Sequence, residues 1–109
     1  MNLLTSKETI KELINNNKML LLYFSNNTCG VCHVLKPKVE KLLKNYPEIK
    51  SYQIDLEKSL EIAAEYSIFT IPAILVFIEG KEIIREARFI SIQDMESKIN
   101  RYYNMVFGE

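Results

Sequence analysis

The sequence predicts an α/β domain: a mixed central sheet of about four strands with helices on both faces, in the order αβαβαββα. Three observations carry this. Two runs, Met19–Phe24 and Ala73–Ile78, are apolar at every position, as strands buried on both faces are. Stretches of helical periodicity stand before, between and after the strands. The second apolar run leads through Glu79-Gly80-Lys81 into an amphipathic stretch, the pattern of an antiparallel hairpin, so the sheet is mixed. At 109 residues, the chain is expected to be one domain over 1–109.

The elements follow in order. Thr5 and Glu8 stand at capping-box spacing, and Ile10, Leu13 and Ile14 then recur on one helical face up to Asn15-Asn16-Asn17. Lys18–Ser25 is the first strand, and Asn26-Asn27-Thr28 a polar loop. A helix is expected from about Cys29 to Asn45, with Val31, Leu35, Val39, Leu42, Leu43 and Tyr46 on its buried side and Pro37 kinking it. Lys50–Asp55 alternates as a half-buried strand does. Ser59–Tyr66 reads as a short helix with Leu60, Ala63 and Ala64 inward, and Ile68–Pro72 as a connection. After Ala73–Ile78 comes the turn, then the strand Lys81–Arg88. Ser91 and Asp94 open the last helix, whose stripe is Ile92, Met95, Ile99, Tyr102, Tyr103 and Val106.

Composition excludes several classes. Apolar residues make up 48% and charged residues 26%, which is globular and not disordered. Fourteen basic against fourteen acidic residues give a formal charge of zero, so no footprint for nucleic acid or an anionic membrane is expected. Met19–Phe24 is too short to span a bilayer, and the polar stretch from Thr5 to Lys18 lacks a signal-peptide core, so a cytoplasmic protein is expected. Two cysteines make no disulfide framework.

Those two cysteines, in Cys29-Gly30-Val31-Cys32, stand where a strand gives way to a helix. At that spacing the sulfurs can reach bonding distance. Cys29 falls at the helix N-terminus, where free amides and the macrodipole favour a thiolate, and Cys32 one turn in is less exposed. The asymmetry suggests that Cys29 attacks an outside disulfide and Cys32 resolves the mixed disulfide.

With these residues in view, the chain resembles the thioredoxin family over nearly its whole length. Pro37, five residues after Cys32, matches the proline that kinks the family's active-site helix. Ile71-Pro72 matches the step whose proline is cis in that family and faces the disulfide. Ile54-Asp55 matches the end of the middle strand, and Phe77 with Gly80 the turn of the terminal hairpin. The resemblance implies a thiol–disulfide oxidoreductase. Its substrates are expected to be disulfide-containing proteins or small thiols, with an unidentified reductase as electron donor and no bound cofactor. Thr28, Gly30, Val31, Ile71 and Pro72 are the expected substrate-binding residues; Ile71 would offer its backbone to an extended segment and Pro72 would floor the site.

The departures from the family pattern are specific. Thr28 and Ser25 stand where the family carries aromatics, and Val31 where it usually has proline. Tyr23 replaces a buried aspartate and Ser51 its lysine partner, while Arg88 stands at a small glycine that contacts partners. A tyrosine is a poor base near neutral pH, so resolution by Cys32 is expected to rely on water or on direct thiolate formation.

Other readings of the motif are weaker. Two thiolates leave zinc two ligands short, with one histidine in the chain to help. His33 completes the C-x-x-C-H of haem c attachment, but that chemistry requires export and a haem pocket, and a solvent-facing first-turn position suffices for it. Lys36, Lys38, Lys41 and Lys44 read as a solvated face, with Glu40 placed to pair Lys36 and Lys44. A binding module with passenger cysteines and an oxidase or isomerase of exported proteins remain as rivals. The redox potential of the cysteine pair separates them.

Overall fold

The computed structural model describes residues 1–108. Its elements are β1 (Asn2–Leu3), α1 (Lys7–Asn16), β2 (Met19–Ser25), α2 (Gly30–Leu43), β3 (Lys50–Asp55), α3 (Leu60–Glu65), β4 (Ala73–Ile78), β5 (Lys81–Ala87) and α4 (Ile92–Phe107). The five strands lie in the order β1-β3-β2-β4-β5. β3 runs parallel to β2, and β4 antiparallel to both β2 and β5, which makes the sheet mixed as expected. The expected four strands become five because Asn2 and Leu3 pair with Tyr52 and Gln53. A two-residue edge strand has no periodicity to read.

β2 occupies the centre of the sheet and is buried at all seven positions. Alternate side chains leave a strand on opposite faces. Met19, Leu21 and Tyr23 accordingly enter the core under α2 and α4, beside Leu35, Val39, Met95 and Ile99. Leu20, Leu22 and Phe24 enter the other core under α1 and α3, beside Ile10, Ile14 and Ile62. An unbroken apolar run is therefore required: any polar residue in it would need a buried partner. Tyr23 is the position that tests this rule.

The helix ends correct some of the sequence expectations. α1 is capped by Ser6, whose hydroxyl accepts from the Thr9 N–H at 3.1 Å, one residue later than the Thr5 cap expected. α4 is capped by Ser91, which accepts from the Asp94 N–H as expected. In α3 the inward residues are Ile62 and Ala63, whereas Leu60 and Ala64 face solvent. A six-residue helix turns less than twice, too short for periodicity to fix its phase. Val31 is 63% exposed and not on the buried side expected of it: in the first turn of α2 it lines the clefts beside the disulfide. Glu40 takes the Met1 ammonium at 2.8 Å as its direct partner; Lys36 and Lys44 add only longer-range attraction. Among the described residues no helix is long and apolar enough to cross a membrane.

β4 and β5 are joined through Glu79 and Gly80, with φ of 48° and 86°. Two successive positive φ values give the turn whose twist matches a two-residue hairpin. Glycine adopts them without strain; a Cβ at Gly80 would also meet Asn15 Oδ1 at 3.1 Å. Gly80→Ala is expected to lower stability by roughly 1–2 kcal/mol in denaturant titration, through the left-handed backbone it must adopt.

Candidate active site

The site lies where β2 ends and α2 begins. Asn26 winds the intervening loop: its Oδ1 accepts from both the Thr28 N–H and the Thr28 hydroxyl, each at 3.1 Å. This delivers Cys29 to the N-cap of α2. Cys29 and Cys32 are disulfide-bonded, with Cα atoms 5.2 Å apart. Cys29 Sγ accepts from the Cys32 N–H at 3.1 Å. That contact places sulfur where serine or aspartate usually sits at a helix start. Neutral sulfur is a weak acceptor and a thiolate a strong one. The first-turn amides and the dipole of the fourteen-residue α2 therefore bear on Cys29 Sγ in a manner that favours its anion. Cys29 is partly exposed, while Cys32 is only 2% exposed.

Beneath the disulfide, Tyr23 is fully buried and its hydroxyl donates to the Cys32 carbonyl oxygen at 2.7 Å. Here a strand residue is fastened to the helix that carries both cysteines. Burial pushes the Tyr23 hydroxyl up to about 12, so it keeps its proton at any pH the site works in. Gln53, not Ser51, is registered beside Tyr23 on β3; Ser51 pairs with Leu21.

The opposite wall comes from the start of β4. The Ile71–Pro72 bond is cis. Arg85 holds the segment that leads into it, donating to the carbonyl oxygens of Tyr66 at 2.7 Å and Ser67 at 3.1 Å. The Arg88 N–H donates to the Pro72 carbonyl oxygen at 2.9 Å and so joins the two loops at this end of the sheet. Together Cys29, Gly30, Val31, Ile71, Pro72, Arg88 and Phe89 line a cleft of about 500 Å³. A second cleft of about 540 Å³ shares Gly30 and Val31 and adds Val34, Leu35, Lys38 and Ile90.

Of the residues singled out in the sequence, Cys29, Gly30, Val31, Ile71 and Pro72 thus meet in one cleft. Thr28 does not line it; it is engaged with Asn26. His33 is exposed and its Nε2 lies 2.9 Å from the Asn27 carbonyl oxygen. Sequence reasoning does not single out Phe89, which is 94% exposed on the cleft. The available signal is an apolar pair, Phe89-Ile90, in a connection between strand and helix.

A disulfide capping a helix at the end of a central strand, half open to solvent and faced by a cis-proline loop, is the working part of a thiol–disulfide oxidoreductase. The family model for thioredoxin matches residues 2–101. A thioredoxin-like protein of Bacillus subtilis, YdfQ, is 37% identical over 106 residues, which cover 97% of this chain and 95% of that one. The fold is shared with Fasciola hepatica thioredoxin at a TM-score of 0.84 and 29% identity, over 93% of this chain and 98% of the other. Mitochondrial thioredoxin 3 of Saccharomyces cerevisiae, in its oxidised form, gives a TM-score of 0.84 and 25% identity over 93% and 94% of the two chains. The chain belongs to the thioredoxin family. It is a thiol–disulfide oxidoreductase built on the Cys29–Cys32 pair.

The environment of Tyr23 has a pH signature. Its hydroxyl titrates near 12 in the folded protein and near 10 when unfolded, so the unfolded chain ionises first as pH rises. The stability it contributes is complete below about pH 10 and is lost as pH climbs through about 12, a loss on the order of 2 kcal/mol. Tyr23→Phe is expected to cost about 1 kcal/mol at neutral pH through the lost hydrogen bond. The variant should also decline less between pH 10 and 12 than the wild type, as read by denaturant titration across that range.

Proposed function

We propose that the protein reduces disulfides in proteins or small thiols, with Cys29 as the attacking residue and Cys32 as the resolving one. The observation that supports this division is the asymmetry of the pair: Cys29 Sγ caps α2 at the cleft, and Cys32 is buried behind it.

The reaction starts from the dithiol. The Cys29 thiolate attacks one sulfur of the substrate disulfide. A Cys29–substrate disulfide forms, the substrate S–S bond breaks, and the departing substrate thiolate takes a proton from water. Cys32 then gives its proton to water and attacks Cys29 Sγ. The Cys29–Cys32 disulfide forms and the substrate leaves as its second thiolate. Two electrons have passed from the protein to the substrate.

Tyr23 donates to the Cys32 carbonyl and does not accept the Cys32 proton, so water is the base for resolution. The backbone of Ile71 pairs with an extended substrate segment in strand fashion, Pro72 forms the floor, and Gly30 and Val31 form the near wall. Thr28, held by Asn26 one residue before Cys29, is offered as a further substrate contact. Electrons return from a reductase in a compartment that keeps dithiols reduced, the cytoplasm. No bound cofactor takes part.

Incubating the reduced protein with a disulfide-bonded test protein checks the assignment. Cys32→Ser is expected to accumulate as a covalent complex that dithiothreitol releases, and Cys29→Ser to form none. Turnover should fall to background in both. Equal trapping by the two variants, or trapping by Cys29→Ser alone, would reverse or remove the roles given to them.

A further inference from the structure

The two clefts beside the disulfide carry charge of one sign. Arg88 is the only charged residue lining the first, and Lys38 the only one lining the second. The chain as a whole is balanced at zero. Among the described residues neither Arg88 nor Lys38 makes an ion pair, whereas Arg85 pairs with Glu82 and Lys98 with Glu86. The backbone of Arg88 is also unusual. Its φ is 69°, in the left-handed region that favours glycine. Left-handed backbone at a residue with a side chain costs free energy and recurs at active sites; Ser67 and Glu79 share it in turns away from the disulfide, and Arg88 has it at the cleft. Arg88 is exposed and lines the cleft that holds Cys29, as well as a second cleft behind it beside Arg85 and Glu86, while its N–H is fixed to Pro72.

The remaining walls are apolar and open: Val31, Val34 and Phe89 are all exposed, with Ile71 and Ile90 beside them. A small free anion would leave this surface uncovered. An extended chain would cover it and could still present a carboxylate to the cations. We propose that these clefts dock an extended segment of a protein substrate, one that carries an acidic side chain within a residue or two of the cysteine under attack. Arg88 is the principal specificity residue and Lys38 the second. The proposal rests on the reductase reading above and names its substrate class.

Disulfide-linked peptides of one sequence, with an apolar residue near the cysteine and Asp, Asn or Lys beside it, provide the test. The wild type is expected to reduce the Asp peptide with a kcat/KM roughly fivefold above the Lys peptide at low salt, the scale of exposed charge pairs. The ratio should shrink toward one at about 0.5 M salt. Arg88→Gly, which suits the left-handed backbone, should collapse the ratio, Arg88→Glu should invert it, and Lys38→Glu should weaken it. A ratio near one for the wild type, a ratio unchanged in Arg88→Glu, or faster reduction of glutathione disulfide than of any peptide would overturn the proposal. Binding of the same peptides, with serine for cysteine, to the oxidised protein separates the two readings. Tighter binding of the Asp peptide without reduction sustains the docking preference and defeats the reductase reading. No preference in either assay defeats the docking proposal.

Discussion

The first turn of α2 leaves amide groups without intrahelical partners, and one of them, the N–H of Cys32, finds Cys29 Sγ. This one contact ties local structure to chemistry. It starts the helix, fixes the exposed sulfur relative to the buried one, and stabilises that sulfur more when it is charged. A serine there would cap the helix as well but could not exchange electrons. The C-x-x-C spacing follows from the same geometry: the third residue after an N-cap is the one whose amide points back at it.

Everything around this contact keeps it in place. β2 is buried on both faces and so ends at a fixed point, which sets where the loop and helix begin. Asn26 turns the chain through the loop. Tyr23, the one polar group on the buried strand's inner stretch, satisfies its hydroxyl on the Cys32 carbonyl and thereby pins the helix to the sheet. Tyrosine supplies a hydrogen-bond donor, which ties the scaffold together at this point. Across the cleft, Arg85 and the Arg88 backbone hold the cis-proline loop against the same end of the sheet.

The architecture was legible because its strongest signals are long. Two unbroken apolar runs marked β2 and β4, the periodic stripe marked α4, and Gly80 marked the hairpin turn. The cysteines and Ile71-Pro72 were legible because the motif and its context coincide. What escaped was short or set by tertiary context. β1 is two residues, and α3 is too brief for its inward face to be read: Ile62 lies inward where the pattern pointed to Leu60. Val31 was expected both on the helical stripe and in the substrate cleft, and only the second place is where it lies. Phe89 comes to the disulfide from a loop some sixty residues away, next to Arg88, which the sequence did mark and whose backbone bond to Pro72 no pattern encodes.

The central claim is that the α2 N-terminus makes Cys29 the reactive sulfur of the pair. Alkylation of the reduced protein at neutral pH, with the labelled site identified by mass spectrometry, tests it most directly. Cys29 is expected to react first, and faster in the folded protein than in the same chain unfolded in denaturant, with Cys32 protected until the fold opens. Equal labelling of both cysteines, or a Cys29 that reacts no faster folded than unfolded, would contradict it.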